Sequence, residues 1–196
     1  MASVVDICNS ALNQIGAANI TALTEDSKAA RVLNQRYEFV RDMVFRAHPW
    51  NSLITRKKLA ADSDAPAFEF AYAFTLPTDP YCLRVLHLDF HDIIYRVEGR
   101  KILTDEAVVN LVYVGRVTDP QQYDTLLTET IATALAADVS YNIVGSSTLT
   151  QTLNQLYTTK LSEARFVDAT EGTPASITSV AAAGSLEADT FIRSRY

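Results

Sequence analysis

The longest regular alternation of apolar and polar positions runs through residues 27–50, SKAARVLNQRYEFVRDMVFRAHPW. Ala30, Leu33, Tyr37, Val40, Val44 and Ala47 recur at steps of three and four, which on a helix makes one continuous apolar stripe. Val32, Phe39 and Met43 are expected to widen it to one side, with Lys28, Arg31, Gln35, Glu38 and Asp42 on the opposite face. Asp26 or Ser27 can cap the start, and Pro49 stops the helix because it lacks a donor and restricts His48 before it. At about 1.5 Å per residue, 27–47 forms a rod of roughly 30 Å. Two residues break the pattern: Arg36 projects into the apolar arc and Phe45 sits on the charged side. The simpler reading gives Arg36 a buried stem with its head in water and makes Phe45 an exposed aromatic. The sharper reading makes Arg36 and Phe45 contacts of a subunit interface, on a helix met from more than one side.

The same reasoning predicts a helix over 4–15, capped by Ser3 with Asp6 completing a capping box and ended at Gly16. Val4, Cys8, Ala11, Leu12 and Ile15 form its buried side, and Ile20 and Leu23 plug the linker that follows. After Trp50 the period changes to two. Residues 53–59 read as extended, with Arg56, Lys57 and Lys58 exposed, and ADSDAPA reads as a loop. In FEFAYAFTLP, Phe68, Phe70, Tyr72, Phe74 and Leu76 alternate with smaller or polar residues, predicting a strand with one buried face. Thr78-Asp79-Pro80 turns the chain into the strand YCLRVLHLDF. IIYRV and KILTD make a hairpin around Gly99, and VVNLVYVG is a further strand. Residues 53–117 are therefore expected to form one small antiparallel sheet of four or five strands.

Helical periodicity returns over 123–143, with Leu127, Ile131, Ala134 and Leu135 as its stripe. After Gly145-Ser146-Ser147, a last helix carries Leu149, Leu153, Leu156, Tyr157, Leu161 and Ala164 to about residue 169. Residues 171–196 have no sustained period and are rich in small side chains. They read as a floppy tail or as an arm that orders against a partner, anchored by Phe191, Ile192 and Tyr196. The fold class is α+β: an antiparallel helical bundle (1–52 and 121–170), an inserted antiparallel β-domain (53–120) and an extended C-terminal arm (171–196).

Composition narrows the function more than the fold. The chain has 196 residues, 48% hydrophobic and 20% charged, ordinary values for a globular chain with a sizeable core. A net charge of −6 and a pI near 5.0 argue against a sequence-independent nucleic-acid binder, which needs a clustered basic surface. Cys8 and Cys82 have no partner motif, so they read as buried thiols in a chain kept in a reducing compartment. MASVVDICNS lacks the layout of a secretory signal, and no apolar stretch reaches the ~18 residues that cross a bilayer. A soluble chain with no membrane partner is expected.

His87, Asp89 and His91 share one face of a strand, the one arrangement resembling a metal site. No second cluster supplies a fourth ligand, and polar residues on a half-solvated sheet face are common. A metal-dependent hydrolase built on these three is the alternative of a different class. His48 reads as a structural polar group at a helix end. No nucleophile elbow, P-loop or dinucleotide fingerprint occurs, and six glycines leave little for phosphate-cradling loops. Glu25/Asp26 and Asp105/Glu106 are adjacent in sequence and so point apart, while Tyr141 and Tyr157 read as core. No enzyme and no cofactor are expected.

The order of ICNSALNQIGA, the helix ending in His48-Pro49-Trp50, the run FAYAFTLPTDPYCLRVL, and the helices around TETIATALAADVSYNI and LNQLYTTKLSEA carries a resemblance over about residues 5–170. In it the chain resembles the head-to-tail adaptors of tailed bacteriophages, particularly the tail tubular protein A family of short-tailed phages. The resemblance implies a helical bundle with an inserted β-domain, assembled with copies of itself as a dodecameric ring in the virion. The ring would lie at the head–tail junction, between the portal protein and the tail nozzle or other tail proteins, tail fibres included. Double-stranded DNA would pass through an acidic lumen that does not grip it. A head-completion or connector protein of a long-tailed phage is the nearest alternative. On this reading Phe191, Ile192, Arg193 and Tyr196 contact the portal, and the hairpin residues Glu98, Gly99 and Arg100 face tail proteins.

Overall fold

The computed structural model describes residues 3–88 and 93–171. Among them the chain is α+β, with four α-helices and two small three-stranded antiparallel sheets. The helices are α1 (Val4–Gln14), α2 (Lys28–Ala47), α3 (Thr125–Val144) and α4 (Ser147–Thr170). The strands are β1 (Ile54–Leu59), β2 (Tyr72–Thr75), β3 (Cys82–Leu88), β4 (Tyr95–Glu98), β5 (Lys101–Thr104) and β6 (Val109–Gly115). They pair in the orders β1-β6-β3 and β2-β5-β4. The single sheet expected from the sequence is therefore two. β5 spends both edges on β2 and β4, and β6 spends both on β1 and β3.

The chain folds as two compact units, and the division falls inside β1, β3 and β6. The first is built on Met1–Thr55, Pro77–Leu86 and Tyr113–Val167, the second on Arg56–Leu76 and His87–Val112.

In the first unit the helix ends follow local chemistry. Ser3 and Asp6 form a reciprocal capping box at α1, satisfying two otherwise orphaned backbone donors. Ser27 accepts the Ala30 N–H at 3.1 Å to start α2. Asn9 clamps the linker by exchanging two hydrogen bonds with the backbone of Ile20, which is 4% exposed.

The last carbonyls of α2 take donors from three other parts of the chain. Trp50 Nε1 donates to Val44 O at 3.0 Å, Arg84 Nη1 to Arg46 O at 3.2 Å, and Arg165 Nη2 to Ala47 O at 2.8 Å. That is the physical content of the His48-Pro49-Trp50 stop: proline ends the helix, and the indole folds back to cap it. The His48 ring packs edge-on against Trp50, consistent with its reading as a helix-end group.

α3 has apolar residues on every side, and Thr130, Ile131, Ala132, Thr133, Ala134, Leu135, Ala136 and Ala137 are all buried. A helix apolar all round belongs inside a core, so the single stripe expected from the sequence is too narrow. Thr130 and Thr133 turn their hydroxyls onto the carbonyls of Leu126 and Glu129, at 2.7 and 2.9 Å, which keeps these buried groups satisfied. α1 and α2 both pack on α3. Gly115 ends β6 where a side chain has no room: a Cβ there would lie 2.8 Å from Thr55 Oγ1.

In the second unit the strand expected over 67–76 shrinks to β2. Phe68 is 80% exposed, and Glu69 adopts φ 75°, a left-handed conformation that ends any extended run. Asp105 holds the exit from this bend by accepting the Ala71 N–H at 2.9 Å. The hairpin at Gly99 forms as expected, with φ 57° at Gly99 and Glu98 paired to Lys101.

Candidate docking surfaces

On α2 the buried arc is wide, but on the side opposite to the one expected. Phe39 and Met43 are 70% and 50% exposed, whereas Phe45 is fully buried and Arg41 is 4% exposed. Successive residues advance about 100° around a helix, so Phe45 lies only about 80° from Tyr37, and Phe39 about 160° away. Phe45 is therefore a core residue and no exposed aromatic, which removes the ground for placing it at a subunit interface. Its ring meets Tyr123 edge to face, with centroids 5.4 Å apart.

Arg36 reaches α3. Its Nε and Nη2 donate to the two carboxylate oxygens of Asp138 at 2.6 and 2.8 Å, a bidentate pair that stays partly exposed. The Asp138 hydrogen bonds hold the guanidinium above its usual range. With Phe45 beside Tyr123 at one end and Arg36 on Asp138 further along, α2 and α3 run antiparallel. Arg36 lies within 5.9 Å of the Phe39 ring, so a charged clasp borders the exposed apolar pair Phe39 and Met43. On α3, Tyr141 is 62% exposed, against its expected place in the core, whereas Tyr157 on α4 is half-buried.

Behind that surface lies a charge cluster that the sequence pattern did not single out. Arg41 Nε and Nη2 donate to Asp42 Oδ1 at 3.0 and 2.9 Å, while Asp42 Oδ2 takes Arg116 Nη2 at 2.6 Å. The Arg116 guanidinium stacks 4.5 Å from the Tyr81 ring centroid, and Arg41 lies between the Tyr37 and Phe45 rings at 5.8 and 5.9 Å. One carboxylate thus serves two guanidiniums, one of them buried among aromatic faces. Every oxygen of Asp42 is engaged, so the arrangement braces α2 against the segment after β6. The signal in the sequence was spacing: Arg41 sits four residues after Tyr37 and four before Phe45, inside the same arc.

Burial explains the raised thiol and phenol groups in this unit. It pushes the Cys8 thiol up to about 12. It also raises Tyr37 above the usual phenol range, with the Tyr123 hydroxyl adding to the effect, and the Tyr37 hydroxyl makes no hydrogen bond of ordinary geometry. Tyr123, likewise raised by burial to about 12, donates to Val117 O at 2.7 Å. Cys8 and Cys82 are both buried and neither is in a disulfide.

The hairpin residues Glu98 and Gly99 stand exposed, with Arg100 half-buried and donating to Leu76 O at 3.4 Å. Beside them a cleft of about 480 Å³ opens between one sheet face and the loop before β2. Phe68, Phe70, Ala73 and Leu103 give it an apolar lining, and Glu69–Arg96 ties one rim, at 3.2 Å.

Of the suggested metal ligands, His87 lies at the end of β3 with Nδ1 3.0 Å from Leu88 O; Asp89 and His91 lie outside the described residues. Among the described residues no group of three His, Cys, Asp or Glu side chains is placed to hold a metal ion. No helix there is long and apolar enough to cross a membrane. Phe191, Ile192, Arg193 and Tyr196 also lie outside the described residues. No protein-family model matches the chain, and no curated protein matches it in sequence.

Proposed function

We propose that this protein is a structural head-to-tail adaptor of a bacteriophage, acting through ring formation and sequential docking without catalysis. The observation that carries the reading is the outer face of α2 and α4. Phe39 and Met43 stand exposed beside the Arg36–Asp138 clasp, and α4 leaves Leu156 39% and Phe166 72% exposed. From Ser147 to Thr159, α4 has no charged side chain, although only Leu153 in that stretch is buried. Depletion of charge on an exposed helix is the compositional mark of a surface that another protein covers.

On this reading the helices form the adaptor's antiparallel bundle, 53–120 its inserted β-domain and 171–196 its portal-binding arm. Head-to-tail contacts between different edges of neighbouring copies close a ring. Arg36 belongs to one such edge, and Glu98, Gly99 and Arg100 face the tail. The acidic balance of the chain leaves DNA free to slide through the lumen.

The test is electron microscopy of the full chain mixed with the portal protein encoded alongside it. Rings seated on portals support the reading, and a full chain that never associates with portals overturns it. A chain ending at residue 170 is expected to keep its fold, by circular dichroism, and to lose portal attachment. Normal attachment of that shortened chain would remove the arm from the proposal.

A further inference from the structure

We infer that β4 is a self-pairing edge, through which two copies of this chain join their β2-β5-β4 sheets into one six-stranded sheet. The two edges of that sheet differ. Along β2, Asp62 donates its N–H to Ala73 O at 2.8 Å, and its carboxylate accepts from Thr75 N at 3.3 Å and Thr75 Oγ1 at 3.0 Å. That loop closes the β2 edge. Among the described residues no strand pairs with the outer side of β4. Arg96, Val97 and Glu98 are exposed there, and Ile94 just before them is 80% exposed.

The register shows which backbone groups face the open side. Leu76 N donates to Arg100 O, so Arg100 and Ile102 direct their backbone groups towards β2. Lys101 and Leu103 then point theirs towards β4, at their partners Glu98 and Arg96. The N–H and C=O of Val97 are left on the outer side.

An antiparallel pairing of two β4 strands, centred on Val97, sets Val97 opposite its own copy in a hydrogen-bonded pair. It also sets Arg96 opposite the second copy's Glu98, and Glu98 opposite its Arg96. Both contacts fall at non-hydrogen-bonded positions, where Cα atoms approach to about 4.5 Å and side chains interact most closely. The charge pattern is self-complementary, which is what a two-fold interface demands. β1, an edge of the other sheet, is the internal contrast. Its three consecutive cations Arg56, Lys57 and Lys58 set like charge against like whichever of them is the centre of such a pairing, the usual device that keeps strand edges apart. The β1 edge repels its copy, and the β4 edge attracts it. The inference needs only the hairpin geometry and does not rest on the adaptor reading, under which a tail protein docking at Glu98 takes the second copy's place.

Sedimentation equilibrium of the full chain over a wide concentration range tests it. A monomer–dimer equilibrium is expected. Arg96→Glu or Glu98→Arg alone should weaken it about tenfold or more, and the double reversal should restore it. Val97→Pro, which removes an outward donor at a position where an edge strand tolerates proline, should abolish it. Glu69→Gln, which breaks only the partner of Arg96 within the chain, should leave it intact. A wild-type monomer at every concentration, a dimer indifferent to Arg96→Glu, or a double reversal that fails to restore pairing overturns the inference.

Discussion

Phe45 and Tyr123 meet ring to ring at 81°, joining the last turns of α2 to the residue two positions before α3. The contact joins residues far apart in sequence, and Phe45 has no exposed surface. Phe45→Ala should therefore cost about 3–5 kcal/mol, as for other buried aromatic truncations. Phe39→Ala, six residues earlier on the same helix, should change stability by no more than about 0.5 kcal/mol. Urea denaturation of both variants checks the pair, and the reverse ranking would show that the buried arc of α2 has been assigned to the wrong side.

Asp42 should matter more than its place on a charged face suggests. Removing its carboxylate leaves Arg41 buried between two aromatic rings without its ion-pair partner. Breaking one side of a buried pair typically costs about 3–5 kcal/mol. Asp42→Ala is expected near the lower end of that range, because the carboxylate is itself 20% exposed. If thermal denaturation shows no loss in Asp42→Ala, the cluster is not bracing the fold.

Acid should loosen the second unit through Asp62. The Lys101 ammonium bonded to it at 2.9 Å, helped by Thr75, holds its carboxyl below the ordinary value of 3.8. The folded state then binds that proton less readily than the unfolded chain, so stability rises with pH across the window. The contribution is complete above about pH 5 and is lost as pH falls through 3.8 and then through the lowered folded value. Asp62→Asn should flatten this part of the acid limb in a pH series of denaturation midpoints. An unchanged acid limb in the variant would show that Asp62 plays no part in it.

Much of the fold was legible wherever the deciding atoms lie within a few residues of one another. Ser3 with Asp6, Ser27 with Ala30, and the left-handed glycines Gly16, Gly99 and Gly145 act inside one turn of chain. The ends of the helices and the Gly99 hairpin followed from them. The hairpin residues proposed to face a partner were legible for the same reason.

Amphipathic period alone established that α2 is a helix with an apolar side, but not how far that side extends. Its true edge depends on Tyr123, which covers Phe45, and on Arg116, which shares Asp42 with Arg41. Beyond the β4–β5 hairpin, strand partners were equally out of reach, since β5 also takes β2, and β6 takes β1 and β3, across intervening stretches of chain. The sequence of 67–76 alternates as a strand should, yet Glu69 turns left-handed, and Asp105 from beyond β5 holds the Ala71 N–H after it. Local chemistry reaches a few residues along the chain and determined the elements by itself. Burial, pairing and charge sharing join residues far apart in sequence, so only the tertiary structure could decide which faces were covered and which remain for a partner.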